Sequence, residues 1–373
     1  MLRKRNVDIL VKGSYGAKNF GDDALQYFLI EWFKKNKFKV AFITKHAGYL
    51  KKIFPDVKLY SQEKAFNINS KVLILGGGTQ FFAFKKITLK EKLAFYIKNL
   101  SLNKLLFTFQ KRVLKKEINS QRIIGLGLGL GPFQENTKEL EAASQDIKHL
   151  DEVFTRDRLS FEFSKVLNEK TFQFTDICFL PEIIDFSKFQ RKRGKINKIG
   201  IIVRDWNFSE KGNQYYTKLQ SESNYIKELG YLTTFILFKP EAYWEEFLKS
   251  KNEKYIAWNP DTMQIHDFLN ELSKFDLMIS ARFHGIIFAA LLGIPSISIG
   301  IEQKLEIVAE FFPKSLKVWP YPFTKSLVDK IQQLDKNYSE IQQNLQQETL
   351  RNHELANSMF IKLNQLLLEI LDK

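Results

Sequence analysis

A single cysteine, Cys178, in 373 residues excludes an intrachain disulfide and fits a reducing compartment. Its setting, FTDICFL, is apolar, which predicts a buried, inert thiol and not a nucleophile. Histidine is scarce as well. His46, His149, His266 and His353 stand in helical or turn contexts without a second ligand at metal spacing, so no metal site is expected. No apolar run approaches the ~18–20 residues of a membrane span. The start, MLRKRNVDILVKG, has too short an apolar stretch and no small-residue cleavage site, and reads as a first strand instead of a signal peptide. The glycine-rich GSYGAKNFGDD lacks the Gly-Lys-Ser/Thr of a phosphate-binding P-loop and is not a strict GxGxxG; Asp22-Asp23 is not a DxD. There is no short internal repeat and no recognised nucleic-acid module, and nucleic acid is not an expected partner.

What is present is a chain that is 44% hydrophobic, enough to bury more than one core at this length, so two domains are expected. Its 57 lysines and arginines against 42 acids leave a net charge of +15. The excess is uneven. Residues 85–122 carry eleven basic residues against Glu91 and Glu117, interleaved with Leu89, Leu93, Phe95, Leu105, Phe107 and other large apolar residues. Two readings of that stretch stand: a surface helix against an anionic bilayer, or a core helix with a solvated lysine face.

Short apolar runs at residues 8–12, 40–44, 72–75 and 123–126 each meet a glycine or polar turn, with helical stretches between several of them. A second series follows at 199–203, 233–237, 277–279 and 296–299, with helices expected over 212–229, 243–249, 261–273 and 284–292. This alternation predicts an α/β protein of two Rossmann-like domains with parallel sheets, facing across a cleft in a GT-B-like arrangement. The expected partition is an N-terminal domain over 1–182, a basic linker over 183–197 containing FQRKRGKIN, a C-terminal domain over 198–336, and a final helix over 337–373 that packs back on the first domain.

Within the second series, SARFHGIIFAALLGIPSISI sets Arg282 and His284 where a strand hands over to an apolar helix. In doubly wound sheets that carboxyl-end rim is where ligands bind, and the helix start adds free N–H groups suited to anions. The pattern SxRxHxxxFAxxxGxPxxxI resembles the C-terminal signature of the polysaccharide pyruvyl transferases. Four further segments resemble that family in order: Gly13-Ser14-Tyr15-Gly16 with Asn19-Phe20-Gly21-Asp22, Gly76-Gly77-Gly78, Gly125-Leu126-Gly127 through Gly131-Pro132, and Thr155-Arg156-Asp157 with Ser160. The resemblance spans residues 7–304 and implies transfer of a pyruvyl group from phosphoenolpyruvate to two hydroxyls of a saccharide, with phosphoenolpyruvate as co-substrate and no other cofactor.

On that resemblance Arg282 is expected to hold the donor, since its planar fork engages carboxylate or phosphate; a structural ion pair is the alternative. His284 is expected to protonate the enol carbon, accept a hydroxyl proton or donate a hydrogen bond to phosphate. Arg204, ending a strand of the same domain, resembles a second donor-binding arginine, with Asp205 as an alternative salt-bridge partner. Lys304 is expected to reach the donor phosphate or to be solvated. The first-domain motifs are assigned to the acceptor: Asn19, Gly77, Gly78, Thr79 and Gln80 as contacts, and Asp22 as a base or as a helix cap. Arg156 and Asp157 are expected to form a structural pair.

The leading expectation is a cytoplasmic transferase that builds a cyclic pyruvate ketal on a surface-polysaccharide precursor whose acceptor sugar is free or lipid-linked. The basic stretch, on its membrane reading, gives it a peripheral place at the inner face of the cytoplasmic membrane. A nucleotide-sugar glycosyltransferase on the same architecture and a non-catalytic saccharide- or membrane-binding scaffold are the alternatives.

Overall fold

A computed structural model describes residues 5–65, 67–81, 118–131, 138–191, 193–207 and 210–372. The stretch expected at a bilayer falls outside these residues except for 118–122. The strands of the first sheet are β1 (Arg5–Lys12), β2 (Val40–Thr44), β3 (Lys58–Ser61), β4 (Ile68–Phe81), β5 (Asn119–Leu130), β6 (Glu152–Thr155) and β7 (Thr171–Gln173). They pair in parallel in the order β3-β2-β1-β4-β5-β6-β7. Ile9, Leu10 and Val11 of β1 are wholly buried, as the middle of a sheet covered on both faces requires. Helices α1 (Phe20–Lys35), α2 (Lys138–Lys148) and α3 (Arg158–Lys165) connect them.

The second sheet holds β8 (Lys198–Val203), β9 (Leu232–Leu237), β10 (Tyr255–Ala257), β11 (Leu277–Ser280), β12 (Ser296–Gly300) and β13 (Lys317–Pro320), in the order β10-β9-β8-β11-β12-β13, again all parallel. Its helices are α4 (Lys211–Glu228), α5 (Ala242–Ser250), α6 (Ile265–Leu272), α7 (Phe283–Leu291), α8 (Gln303–Ile307) and α9 (Leu327–Lys336), before the long α10 (Tyr338–Leu371). Counted within itself, this sheet runs 3-2-1-4-5-6, and the first six strands of the other sheet run the same way. Each therefore reverses direction between its own first and fourth strands. The architecture is the expected α/β arrangement of two parallel sheets, without a closed barrel, and no described helix is long and apolar enough to cross a membrane.

The compact units differ from the expected partition. One contains the residues up to Ala17, Leu29–Phe174 and the chain from Phe360 on; the other contains Lys18–Phe28 and Thr175–Met359. The reason for the first exchange is aromatic. Phe20 is wholly buried among Phe238, Trp258, Phe268 and Phe288, with ring centroids 5.0, 5.2, 4.6 and 4.9 Å away, and its N–H donates to the Phe238 carbonyl over 2.8 Å. The Trp258 indole N–H also donates to Asp23 over 2.9 Å. Glycine-loop chemistry thus belongs with the second sheet from Lys18 onward.

The basic segment expected to be a linker lies inside the second unit and is pinned there. Arg193 donates to the carbonyls of Ser273 and Phe275, over 2.7 and 2.9 Å, and Arg191 to those of Ser273 and Lys274 and to Asp276. These carbonyls belong to the turn that follows α6, so the cations stand at the helix's carboxyl end, where they offset its dipole. A hollow of about 450 Å³ opens beside this segment, between Arg193, Gly293 and Gln342. Its arginines are already committed to backbone carbonyls.

Candidate active site

β8 and β11 are parallel neighbours, so their carboxyl ends open side by side where the strand order reverses. The loops leaving them diverge, and a crevice at such a switch point is where α/β sheets receive ligands. Arg204 follows the last residue of β8, and Arg282 lies two residues past the end of β11. A tight turn fixes Arg282: its N–H donates to Ser280 Oγ over 3.1 Å, and that hydroxyl donates to its carbonyl over 2.8 Å. Gly285 then lets α7 sit down on the sheet. A Cβ there would lie 2.2 Å from Ser280 Oγ and 2.7 Å from Ile202 Cδ1.

Both arginines meet buried carboxylates. Arg282 pairs with Glu241, and Arg204 pairs with Glu302 while its guanidinium carbon stands 4.8 Å over the Trp206 ring. Lys304 reaches the same Glu302 over 3.1 Å. Asp205 is not the partner of Arg204: its carboxylate accepts from the Tyr243 and Trp244 N–H groups at the start of α5. Burial would raise the Glu302 carboxyl, but Lys304 and Arg204 outweigh it and hold it below the usual range. Burial pushes the Arg282 guanidinium down to about 9, with Arg204 adding to the effect, which still leaves it cationic at neutral pH. Its Nε is fully buried and finds no acceptor among the described residues.

Lys239 is the residue that sequence reading missed. It sits half-buried just past β9, one residue after Phe238, whose carbonyl receives the Phe20 N–H, and two before Glu241. Burial, then Arg282 and Arg204, push its ammonium down to about 8. Only its place after a strand, in Phe238-Lys239-Pro240, marks it in the sequence. Opposing these cations is Asp22, whose charge acts on both Lys239 and Arg282 and whose carboxylate accepts from Asn19 Nδ2 over 2.6 Å.

His284 is the second residue of α7, with its ring 11% exposed. Its Nδ1 edge lies against Gly21, where a Cβ would come within 2.4 Å of it. Its Nε2 faces Asp176 Oδ2 at 3.5 Å. Asp176 was also missed: it is an acid within an apolar run, wholly buried, with its Oδ1 accepting the Cys178 N–H over 3.0 Å. Cys178 is buried as expected. Donor atoms of Asp176, Cys178 and His284 lie within 4.8 Å of one another, close enough to touch one ion, so this is where the expected absence of a metal is open to test.

The second unit therefore gathers Arg204, Arg282, His284, Lys304, Asn19 and Asp22, with Lys239 and Asp176 added. Asn19 and Asp22 were expected in the first domain with the acceptor contacts, and here they stand in the unit that holds the arginines. Gly77 and Gly78 lie in β4 of the first unit, with φ of 63° and 79°, and Thr79 and Gln80 continue that strand. Beside them Tyr15 donates to the Gly76 carbonyl over 2.7 Å, at the switch point of the first sheet. Arg156 and Asp157 form a buried pair at 3.4 Å, and Asp157 also caps α3 through the Ser160 N–H.

The family model for polysaccharide pyruvyl transferase matches residues 19–303. A comparison with curated protein sequences returned no match. Among solved structures, a glycosyltransferase from Rickettsia africae is 13% identical, with a TM-score of 0.55 over 98% of this chain and 99% of that one. Anabaena HepE in complex with UDP is 12% identical, with a TM-score of 0.54 over 98% and 99%. Staphylococcus aureus MnaA with UDP is 10% identical, with a TM-score of 0.54 over 93% and 92%. At these identities the likeness is one of fold, and that fold is GT-B-like.

Proposed function

Because the chain belongs to the polysaccharide pyruvyl transferase family, we propose that it forms a cyclic pyruvate ketal on a saccharide acceptor with phosphoenolpyruvate as donor. The observation that carries this reading is the convergence of Arg204, Lys239, Arg282 and His284 at one switch point. Phosphoenolpyruvate brings a phosphate and a carboxylate, and this rim offers cations for both. Arg282 and Lys239 take the anions as cations, while Lys304 and Arg204 share Glu302 and set the field around them.

In the reaction His284 delivers a proton to the methylene carbon, which becomes a methyl group and leaves oxocarbenium character at C2. One sugar hydroxyl adds at C2 and gives up its proton. The C2–O bond to phosphate breaks, and a second hydroxyl adds to C2, losing its proton and closing the ketal. One proton enters carbon and two leave the hydroxyls; phosphate departs with the balance as hydrogen phosphate. Asp22 receives a hydroxyl proton in this reading, supported by its charge opposite the cations and by the Asn19 amide that orients its carboxylate. The fixed charges stabilise the developing positive and negative centres without reorganising.

The test is a ligand-induced shift in melting temperature. Phosphoenolpyruvate should raise the melting temperature of the wild-type protein and of His284→Gln alike, while His284→Gln loses turnover. A shift with a uridine diphosphate sugar and none with phosphoenolpyruvate would move the protein to the glycosyltransferase class.

A further inference from the structure

Asp176 has no part in the mechanism above, yet its placement is costly. A carboxylate wholly buried in the run Thr175-Asp176-Ile177-Cys178-Phe179 loses several kcal/mol of hydration unless donors meet it. The segment is held rigid on both sides. Thr175 Oγ1 donates to Asn352 Oδ1 over 2.6 Å, and the Phe179 carbonyl meets His353 Nδ1 at 2.5 Å, both on α10. The Cys178 N–H fixes Oδ1, and Oδ2 faces His284 Nε2 at 3.5 Å, an ion-pair distance. Nε2 is itself fully buried, so the 11% of the ring that stays exposed belongs to its other atoms.

We infer that Asp176 is the positioning residue of His284: its carboxylate receives Nε2–H, fixes the ring and its tautomer, and leaves Nδ1, on the Gly21 side, as the nitrogen that exchanges the proton. This rests on the reading of His284 as the group that moves a proton, and it assigns which nitrogen does so and what orients it. A carboxylate behind an imidazole holds one tautomer and stabilises the imidazolium when it forms. Gly21 completes the arrangement. Any side chain there would occupy the space of Nδ1.

The experiment uses the full chain with ¹⁵N-labelled histidine, the His284 signals being assigned by their loss in His284→Gln. In the free wild-type protein the neutral ring should carry its proton on Nε2 and not on Nδ1, the Nδ1 proton being the one the imidazolium gains and then delivers. Asp176→Asn keeps the volume and an oxygen for the Cys178 N–H, but its amide presents a donor to Nε2, so the tautomer should switch to Nδ1–H. Turnover should fall on the order of 10²-fold or more, with the donor KM within about two-fold, since the loss lies in proton transfer. Asp176→Glu should restore part of the turnover and the Nε2–H signal.

An unchanged His284 tautomer in Asp176→Asn, with activity lost only in proportion to folded protein, would reduce Asp176 to a cap and overturn the inference. Exhaustive chelation should alter neither signal nor rate. A change on chelation that a divalent ion reverses would replace the pairing with a metal centre. A wild-type protein that shows the Nε2–H tautomer yet transfers no pyruvyl group would overturn the functional reading and leave the pairing standing.

Discussion

Arg282 and Glu241 form a pair that cannot be opened from one side without cost. Arg282→Ala leaves the Glu241 carboxylate buried without its cation, which costs about 3–5 kcal/mol, so loss of activity in that variant mixes unfolding with lost donor binding. Arg282→Met with Glu241→Gln removes both charges, and chemical denaturation should find most of that stability recovered while phosphoenolpyruvate no longer binds. Lys239 allows a cleaner measurement. An ammonium pushed down to about 8 is charged below that pH and neutral above it, so donor KM should be flat below about pH 8 and rise above it. Lys239→Arg, whose guanidinium keeps its charge, should remove that rise. A rise that persists in Lys239→Arg would take Lys239 out of the anion site. At this scale the sequence showed Arg204, Arg282 and His284, because a strand run places each at a carboxyl-end rim. Glu241 and Asp176 were not legible, since nothing local distinguishes them from surface charges or a helix cap, and Lys239 carried only its place after a strand. Their roles arise only when separated segments fold against one another.

At the level of elements, the helix start at Phe20 decides where the glycine loop works. The sequence marks a strand, a glycine turn and a helix, and all three form. It does not mark the partner sheet, because the aromatic cluster that captures Phe20 comes from Phe238, Trp258, Phe268 and Phe288, far along the chain. Gly21→Ala separates helix stability from site geometry. Alanine favours the helix by about 1 kcal/mol over glycine. Its Cβ would nonetheless stand 2.4 Å from His284 Nδ1, so turnover should drop sharply with α1 still formed by circular dichroism. Full activity in Gly21→Ala would show that the ring does not work from this position. The apolar strands β1, β2, β4, β5, β8, β9, β11 and β12 were legible from their runs, β11 because its Leu277-Met278-Ile279 is aliphatic although the strand has only four residues. Strands β3, β6, β7, β10 and β13 were not, because they have three or four residues each and too little pattern to separate them from loops. The basic segment before β8 resembles a linker in composition, whereas Arg191 and Arg193 donate to the Ser273, Lys274 and Phe275 carbonyls in the turn after α6.

Across the whole molecule, two sheets with the same strand order place two switch points in one chain: one has Gly13 and Gly76, the other Arg204 and Arg282. At the first, Gly13 and Gly76 stand against the Tyr15 side chain; at the second, cations gather. The cations of the second suit the anionic donor of the proposed reaction, and family membership supplies the class of transferase. The most direct measurement supplies phosphoenolpyruvate labelled in its pyruvyl carbons, together with the protein and surface glycan from cells that lack it, and follows the glycan by mass spectrometry. The account expects label to enter the glycan as an acid-labile ketal, with one phosphate released per ketal, in the wild type and not in His284→Gln. Glycan that stays unlabelled with phosphoenolpyruvate but takes up a sugar from a labelled nucleotide sugar would contradict it.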